Sequence, residues 1–387
     1  MSRVVRLSAF FLFMLIGISL LSSAPPNAEA QVGKKEKKKA EDKKADDKKD
    51  EAKKNEPKEP EKKKEPFVPD SPQVELKGHT EWINALAYSA DGKILVSSSR
   101  DRTVRVWNVD AKKESHILKG SSESVKGLTI RDGKAYSTNG KWNKEKKVWE
   151  GEVKIWDIAG GKETGSIKGH AETIEWVTAS RDGKLLGTSS EDQTAKIWDA
   201  AGKELQTLKG HAKAVHAIAL TADGAKAATA SEDGSVKIWN VADGKELAMV
   251  KTEIEVSTTD PKSKKEIKTK QPGRPFTRVA FSPDGKTLLA GNLDGEVKII
   301  DVAAGKETGS IKAHDGVWAL AVSADGSKIA TGGWDQTIKI WDAKGKELNV
   351  IKAHIGTVTA LAFHPNGQVI ASGGMDGLVK IWPVAKK

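Results

Sequence analysis

Three kinds of side chain that can take part in acid–base or nucleophilic chemistry recur together in the sequence. A histidine is followed by a serine or threonine, then by an aspartate and then by a tryptophan, and five segments carry the whole set. The sets are His79, Ser97, Asp101 and Trp107; His170, Thr188, Asp192 and Trp198; His211, Thr229, Asp233 and Trp239; His314, Thr331, Asp335 and Trp341; and His354, Ser372, Asp376 and Trp382. Histidine beside aspartate invites a catalytic interpretation. Because the set occurs five times, we expect a structural role instead.

Other signatures of enzyme chemistry are missing from the sequence. It contains no glycine-rich phosphate loop, no G-x-S-x-G motif and no H-E-x-x-H motif. It also contains no cysteine, so neither a disulfide framework nor a lipidated cysteine anchor is available. The histidines outside the five sets are His116, His216 and His364. We therefore predict that the protein is not an enzyme and that it holds no metal and no cofactor.

The five sets belong to a longer repeat. Residues 208–241, LKGHAKAVHAIALTADGAKAATASEDGSVKIWNV, are a well-formed copy, and the repeat occurs seven times, with variations, between Leu76 and Val384. The copy opens with Gly-His and closes with Trp-Asn, and 28 residues separate the histidine from the tryptophan. A repeat of about 41 residues with these ends is typical of one blade of a β-propeller. The sequence resembles the WD40 repeat family.

The resemblance implies an all-β fold, a seven-bladed propeller in which each blade is an antiparallel sheet of four strands, a to d in chain order. Turn signals such as Ala-Asp-Gly at residues 222–224 separate the strands of one repeat. The last repeat stops after its third strand, whereas residues 73–76 match a fourth strand with no blade before them. We therefore predict that residues 73–76 complete the seventh blade, and that the propeller comprises residues 73–387.

In WD40 proteins the tryptophan, hydroxyl, histidine and aspartate side chains form a buried chain of hydrogen bonds. The resemblance implies such a chain in each of the five sets. Two repeats depart from the pattern. In the second, Ser121 replaces the histidine and Glu150 the aspartate, while in the fifth Ala290 stands at the hydroxyl position and Ile300 at the tryptophan position. We expect these two blades to lack the chain.

The two irregular repeats also carry insertions. Residues 139–152 lengthen the b–c connection of the second repeat, and residues 257–275 lengthen the connection that leads into the fifth. Both insertions are rich in lysine. In WD40 propellers the b–c and d–a connections emerge on one face, here called the top face, so we expect both insertions to project from it. Alternating apolar and polar residues around the second insertion predict a hairpin.

WD40 proteins mostly bind partners on the top face, through side chains at the start of strand a and just before the turn aspartate. On blades 5, 6, 7 and 1 these positions predict a partner-binding patch of Trp82, Asn84, Arg100, Leu293, Trp318, Trp334, Thr359 and Met375. Large aromatic side chains commonly supply much of the binding energy of an interface. The alternative is that the three tryptophans pack into neighbouring loops.

Acidic residues and a histidine stand at the same positions on blades 3 and 4. They are Glu175, Glu191, His216 and Glu232. These side chains are an alternative site, at the mouth of the propeller channel, for a cation or a cationic ligand.

The first 30 residues have the pattern of a secretory signal. Arg3 and Arg6 precede an apolar run at residues 7–21, and Ala-Glu-Ala at residues 28–30 fits a cleavage site. We expect cleavage before Gln31, export from the cytoplasm and no membrane span after the signal is removed. Retention of the segment as an N-terminal anchor is the alternative.

Residues 31–72 predict a solvated, disordered linker. Residues 34–65 contain fifteen lysines, eleven acidic residues and no aromatic residue, which is too little apolar surface for a core. A plain spacer is the first interpretation, and a weak contact with an anionic polymer of the cell envelope is the alternative. The whole chain carries a net charge of +11, spread over interleaved charges, and we expect no nucleic-acid partner.

These features together predict an exported, bacterial-type WD40 propeller. Its predicted function is that of a scaffold without enzymatic activity, which binds a protein or peptide partner on its top face.

Overall fold

The computed structural model describes residues 68–259 and 266–385. All of them belong to the compact unit formed by residues 65–387. The signal-like segment, the charged linker up to residue 67, and residues 260–265 and 386–387 lie outside the described residues. The described part of the chain contains 30 strands and no helix, so it contains no helix that would be long and apolar enough to cross a membrane.

Seven four-stranded antiparallel sheets form the predicted blades. Blades 1 to 4 consist of β2 (Ile83–Tyr88), β3 (Ile94–Ser99), β4 (Thr103–Asn108) and β5 (Lys113–Lys119); β6 (Leu128–Arg131), β7 (Lys134–Asn143), β8 (Val148–Asp157) and β9 (Lys162–His170); β10 (Ile174–Ala179), β11 (Leu185–Ser190), β12 (Thr194–Asp199) and β13 (Glu204–Lys209); and β14 (Val215–Leu220), β15 (Lys226–Ser231), β16 (Ser235–Asn240) and β17 (Glu246–Lys251).

The remaining blades follow the same order, except that the seventh takes its outer strand from the start of the propeller. Blades 5 to 7 consist of β20 (Phe276–Phe281), β21 (Thr287–Asn292), β22 (Glu296–Asp301) and β23 (Lys306–Lys312); β24 (Val317–Val322), β25 (Lys328–Gly333), β26 (Thr337–Asp342) and β27 (Glu347–Lys352); and β28 (Val358–Phe363), β29 (Val369–Gly374), β30 (Val379–Pro383) and β1 (Val74–Leu76).

The predicted a–b turns have a local cause, which blade 4 illustrates. The hydroxyl of Thr221 donates to a carboxylate oxygen of Asp223 at 2.6 Å, and the same oxygen accepts the backbone N–H of Ala225 at 3.0 Å. Gly224 follows with a φ of 70°, a left-handed conformation that is strained for residues with a side chain. The sequence Thr-Ala-Asp-Gly therefore reverses the chain in one step and sets the register of β14 against β15.

The ring closes as predicted. Val74 pairs with Ile381 and Leu76 with Val379, so β1 completes the sheet of blade 7. The chain before β1 is also fixed, because Asp70 exchanges two hydrogen bonds with Lys352 of β27. The backbone N–H of Asp70 donates to the Lys352 carbonyl at 2.7 Å, and the Lys352 N–H donates to the Asp70 carboxylate at 2.8 Å.

The apolar core lies between blades. The first strands of neighbouring blades contact one another around the whole ring, from β2 through β6, β10, β14, β20, β24 and β28 back to β2. The tryptophan that ends strand c packs against the preceding blade, as Trp107 of blade 1 does with Ala371 and Ile381 of blade 7. Each blade thus covers the apolar face of the next, and the fold has no separate central core.

Both insertions are hairpins. Strands β7 and β8 each have ten residues, against six in the b and c strands of blades 1, 3 and 4, and remain paired out to Asn143 and Val148. The insertion before blade 5 forms a two-stranded sheet of β18 (Glu253–Thr259) and β19 (Glu266–Pro272), which confirms the predicted hairpin. Its connecting residues lie outside the described part of the chain.

Candidate interaction surface

The repeated histidines, hydroxyls, aspartates and tryptophans are joined in a chain of hydrogen bonds. In blade 4 the Trp239 indole N–H donates to the Thr229 hydroxyl at 2.8 Å, and that hydroxyl donates to His211 Nε2 at 2.7 Å. His211 Nδ1 then donates to Asp233 at 3.0 Å. The four other sets form the same chain, with each of these distances between 2.7 and 2.9 Å.

The aspartates of these chains are held ionised. Burial opposes ionisation of Asp233, but hydrogen bonds from His211 and Ser235 outweigh it and hold the pKa of the carboxyl well below its usual range. Asp101 and Asp192 show the same balance, in which hydrogen bonds from His79 and His170 overcome the effect of burial on the pKa. The side chains of these five histidines have exposed fractions of 0 or 1%, so a substrate cannot reach their ring nitrogens, and the arrangement fits the expected structural role.

The two irregular blades lack this chain, as expected. In blade 2 the Trp156 indole N–H still donates to the Ser137 hydroxyl at 2.8 Å, but no histidine stands next to it. In blade 5 the corresponding positions are filled by Ala290 and Ile300, which are both fully buried. Apolar packing replaces the polar chain there.

The top-face position at the start of strand a is a β-bulge. In six blades the register between strands a and b shifts by one residue. The bulged residues are Asn84, Glu175, His216, Thr277, Trp318 and Thr359. A bulge leaves one residue outside the ladder and redirects its side chain, which here frees it to contact the neighbouring blade.

Three of the bulged residues hydrogen-bond to the next blade. The Asn84 amide donates to the Val125 carbonyl at 2.9 Å, and the Thr277 hydroxyl donates to the Val317 carbonyl at 2.6 Å. The Thr359 hydroxyl donates to the carbonyl of Ile83. These side chains connect blades 1 and 2, 5 and 6, and 7 and 1.

The structure therefore divides the predicted partner-binding residues into two groups. Leu293, Trp318 and Thr359 are buried, with exposed fractions of 8%, 6% and 6%, and Asn84 is bonded to the next blade. These positions are corrected: Asn84 and Thr359 join neighbouring blades, Trp318 packs against Trp334 of its own blade with ring centroids 6.0 Å apart, and Leu293 is buried. The other four, Trp82, Arg100, Trp334 and Met375, reach the surface.

Four apolar side chains on successive connections of blades 6, 7 and 1 are at least partly exposed, and we call Trp334, Ile355, Met375 and Trp82 the apolar arc. On blade 6, the ring of Trp334 lies over Gly316, where an added Cβ would be 2.9 Å from Cε3 of the indole. The backbone N–H of His354 donates to the carbonyl of Gln336, in the turn that follows Trp334. Ile355 therefore lies next to this turn.

The arc continues from blade 7 to blade 1. A Cβ added to Gly356, which follows Ile355, would lie 3.1 Å from Cβ of Met375. A Cβ added to Gly377, in the turn after Met375, would lie 3.3 Å from the Glu81 carbonyl, next to Trp82. The guanidinium of Arg100 lies 4.8 Å from the Trp82 ring and ends the arc with a positive charge.

Ile355 is the most exposed member of the arc, with an exposed fraction of 71%. The prediction from sequence missed it because it considered only the two family positions on each blade. The available signal was an isoleucine directly after the histidine, where blades 3, 4 and 6 carry Ala171, Ala212 and Asp315.

The two acidic positions on blade 3 face a cation of the protein itself. Lys126 pairs with Glu175, and its amine lies 2.8 Å from Glu191. Burial opposes the charged amine, but the two carboxylates outweigh it and raise the pKa of Lys126 above its usual range. Burial raises the pKa of Glu191, and Lys126 offsets part of that effect. The predicted cation site is therefore filled by a lysine of blade 2.

Arg278 and His216 complete this charged cluster. The guanidinium of Arg278, on blade 5, lies 4.4 Å from the ring of Trp176 on blade 3. Burial lowers the pKa of Arg278 to about 10, against the opposing effect of Glu175. Burial, aided by Lys126 and Arg278, lowers the pKa of His216 to about 3, so the imidazole is neutral. Among residues 68–259 and 266–385 no group of three His, Asp or Glu side chains is placed to hold a metal ion.

Glu232 lies outside this charged cluster, and its carboxylate is 3.7 Å from the amine of Lys213. Lys126 itself was missed from sequence, because the second repeat has no Gly-His from which to count. Aligning Val125 with Val215 puts Lys126 at the bulge position of His216, which was the signal available.

The chain belongs to the WD40 repeat family. The model described as "WD domain, G-beta repeat" matches residues 70–108, 161–199, 202–240, 305–342 and 345–383, which together cover half of the chain. It leaves out the first three strands of each irregular blade, which are β6 to β8 and β20 to β22. A second model, "Anaphase-promoting complex subunit 4 WD40 domain", matches residues 247–323 and so includes blade 5. WD40 propellers typically serve as scaffolds for protein interactions and are generally not enzymes.

Two curated relatives are versions of "Apoptotic protease-activating factor 1". The protein of Danio rerio is 28% identical over 159 residues, which are 33% of this chain and 13% of the relative. That of Rattus norvegicus is 32% identical over 122 residues, 31% of this chain and 9% of the relative. The chain thus matches only a small part of these longer proteins.

Proposed function

We propose that the protein is an exported scaffold without enzymatic activity, and that it binds a protein or peptide partner through the apolar arc. The observation that carries the proposal is Ile355, with an exposed fraction of 71% in the middle of the arc. The side chains of Trp334, Met375 and Trp82 are half-buried, so they are already held in place before a partner binds. A partner would cover the apolar surface that they leave exposed. Aromatic side chains and arginine are the residues that most often dominate binding energy at interfaces.

Affinity capture tests the binding site. Wild-type protein and the Ile355→Glu and Trp82→Ala variants are used as baits in an extract of the cell envelope, and bound proteins are identified by mass spectrometry. The matched control is Leu348→Glu, which changes a residue with an exposed fraction of 46% on the outer strand β27. We expect a partner that binds wild type and the control equally and is lost with both arc variants. A partner profile that is unchanged by Ile355→Glu would refute the proposal.

Export is proposed on the pattern of residues 1–30, with a basic start, an apolar run and a small-residue cleavage site. N-terminal sequencing of the protein isolated from its source, together with cell fractionation, tests this part separately. We expect Gln31 as the first residue and recovery outside the cytoplasm. A major form that begins at Met1 or Ser2 and stays in the cytoplasm would contradict export without affecting the arc.

A further inference from the structure

The hairpin of blade 2 has features that the ring does not need. Its strands continue for four residue pairs beyond the blade, from Gly140–Gly151 to Asn143–Val148. The last pair but one is Trp142–Trp149, whose rings meet edge to face with centroids 5.7 Å apart. Trp142 and Val148 each have an exposed fraction of 44%. Large apolar side chains exposed on a projecting element are typical of binding surfaces.

The hairpin is built to keep its shape. At its tip, Asn143 accepts the backbone N–H groups of Glu145 and Lys146 at 3.1 and 3.0 Å, which fixes the turn. The Asn143 amide also donates to Glu150 at 2.9 Å across the two strands. Lys147 adopts a left-handed φ of 56° to close the turn. A surface fixed in this way loses little conformational entropy when a partner binds.

The base of the hairpin is fixed to two neighbouring loops. The Ser122 hydroxyl donates to the Gly140 carbonyl at 2.9 Å. A Cβ on Gly140 would lie 2.9 Å from the Thr173 hydroxyl, and one on Gly151 would lie 2.3 Å from the Glu172 carbonyl. Alternate residues of a strand share a face, so the tryptophan pair stands on the same face as these glycines, above the loop of blade 3. The Trp142–Trp149 pair and the loop that contains Glu172 and Thr173 therefore form the two sides of a corner.

The charges around the tryptophan pair are mixed in sign. Four exposed lysines, Lys141, Lys144, Lys146 and Lys147, lie on the last part of the hairpin. Glu145, Glu150 and, on the neighbouring loop, Glu172 interrupt this positive surface. A polyanion with evenly spaced charges, such as a nucleic acid, would meet the glutamates as well as the lysines. A peptide can place single carboxylates opposite single lysines.

We propose that the hairpin is a second docking element, which binds an acidic peptide segment of a partner protein. An aromatic or aliphatic side chain of that segment packs on Trp142 and Trp149, and its carboxylates pair with Lys144 and Lys147. The surface is distinct from the apolar arc and does not depend on it.

The test uses two blocked pentapeptides, one with phenylalanine between pairs of glutamates and one with phenylalanine between pairs of lysines. Binding is followed by NMR through the indole N–H signals of Trp142 and Trp149. We expect the acidic peptide to shift both signals with saturation and the basic peptide to have no effect. In the double variant Lys144→Glu/Lys147→Glu, the Kd should rise about tenfold. Lys184→Glu, on a turn of the opposite face, is the matched control and should change nothing.

Three results would overturn the proposal. The first is equal binding of the two peptides, and the second is an unchanged Kd in the double variant. The third is a shift of the two indole signals by oligothymidylate, or by phosphatidylglycerol vesicles, where the acidic peptide gives none. Because charge reversal at the turn leaves the tryptophan pair in place, the indole signals also report whether the variant hairpin remains folded.

Discussion

The hydroxyl of Thr359 in the last blade donates its hydrogen to the backbone carbonyl of Ile83 in the first, across 276 positions of sequence. The same hydroxyl lies 3.1 Å from the Gly373 carbonyl of its own blade. Thr277 joins blades 5 and 6 in the same way, through the Val317 carbonyl at 2.6 Å. A β-bulge places both threonines, so the irregularity of the innermost strands serves to connect neighbouring blades.

Loss of the Thr359 hydroxyl should weaken the ring. We expect Thr359→Val to lower the free energy of unfolding by about 1–2 kcal/mol, because a buried carbonyl loses its donor while the shape of the side chain is kept. Denaturant unfolding measures the change. Thr359→Ser retains the hydroxyl and is the control, and equal losses in the two variants would show that the hydrogen bond contributes nothing.

Thr229 is the central link of the polar chain in blade 4, since it accepts from Trp239 and donates to His211. Thr229→Val leaves both buried nitrogens without their partner, and we expect a loss of about 2–4 kcal/mol in the free energy of unfolding. Thr229→Ser should retain most of the stability. The midpoint of denaturant unfolding compares them. Similar unfolding midpoints for Thr229→Val and Thr229→Ser would mean that methyl packing, rather than the polar chain, determines stability at this position.

Truncation tests the closure by β1. A protein that begins at Val68 keeps Asp70 and β1, so we expect it to be a monomer with wild-type thermal stability. A protein that begins at His79 lacks the strand that pairs with β30, and the exposed apolar edge of Val379–Pro383 should cause dimerisation or aggregation. A third, beginning at Gln73, loses the Asp70–Lys352 bonds but keeps β1, and it should remain a monomer with a slightly lower melting temperature. Size-exclusion chromatography decides, and monomers in all three cases would exclude closure by β1.

The charged cluster predicts a loss of stability in mild acid. Burial holds the pKa of His216 at about 3, whereas a histidine in the unfolded chain titrates near 6.5. Below pH 6.5 the unfolded state therefore binds a proton that the folded state does not, and stability falls as the pH is lowered. Between pH 7 and 4.5 this group should contribute a loss of about 2–3 kcal/mol.

His216→Gln removes the titrating imidazole and should flatten the dependence of unfolding free energy on pH in that window. The variant will keep some slope, because burial also lowers the pKa of His354. The buried aspartates add to the loss from about pH 5 downwards, as their carboxylates begin to be protonated in the unfolded chain. Parallel pH profiles for wild type and His216→Gln would show that this histidine is not buried as the structure has it.

The fold was predictable because its determinants are local and repeated. A turn such as Thr221–Gly224 sets a register from four adjacent residues, and an opening histidine and a closing tryptophan mark five of the seven blades in the sequence. The outer strand of blade 7 was also predictable, since one end of the repeat array lacks a strand and the other has one to spare.

The candidate surface was only partly predictable, because exposure depends on neighbouring blades. Asn84 and Thr359 occupy equivalent positions in the repeat, but the sequence does not state that a bulge lets them hydrogen-bond to an adjacent blade. The exposure of Ile355 likewise follows from the turns around it, and the ion pairs of Lys126 are formed with carboxylates that are 49 and 65 positions away. Such contacts arise from packing between repeats, whereas the repeat pattern describes only what happens within one.

The shared sheet of blade 7 has a consequence for biosynthesis. Strand β1 leaves the ribosome before any blade, but its partner β30 is made after all the other strands of the ring. The ring therefore cannot close until β30 has been made, however early the individual blades form. A product that stops before Val379 keeps two apolar blade faces open to water, which is the kind of surface that chaperones and proteases recognise. The position of one three-residue strand thus gives the cell a means to distinguish prematurely terminated chains from those that can close the ring.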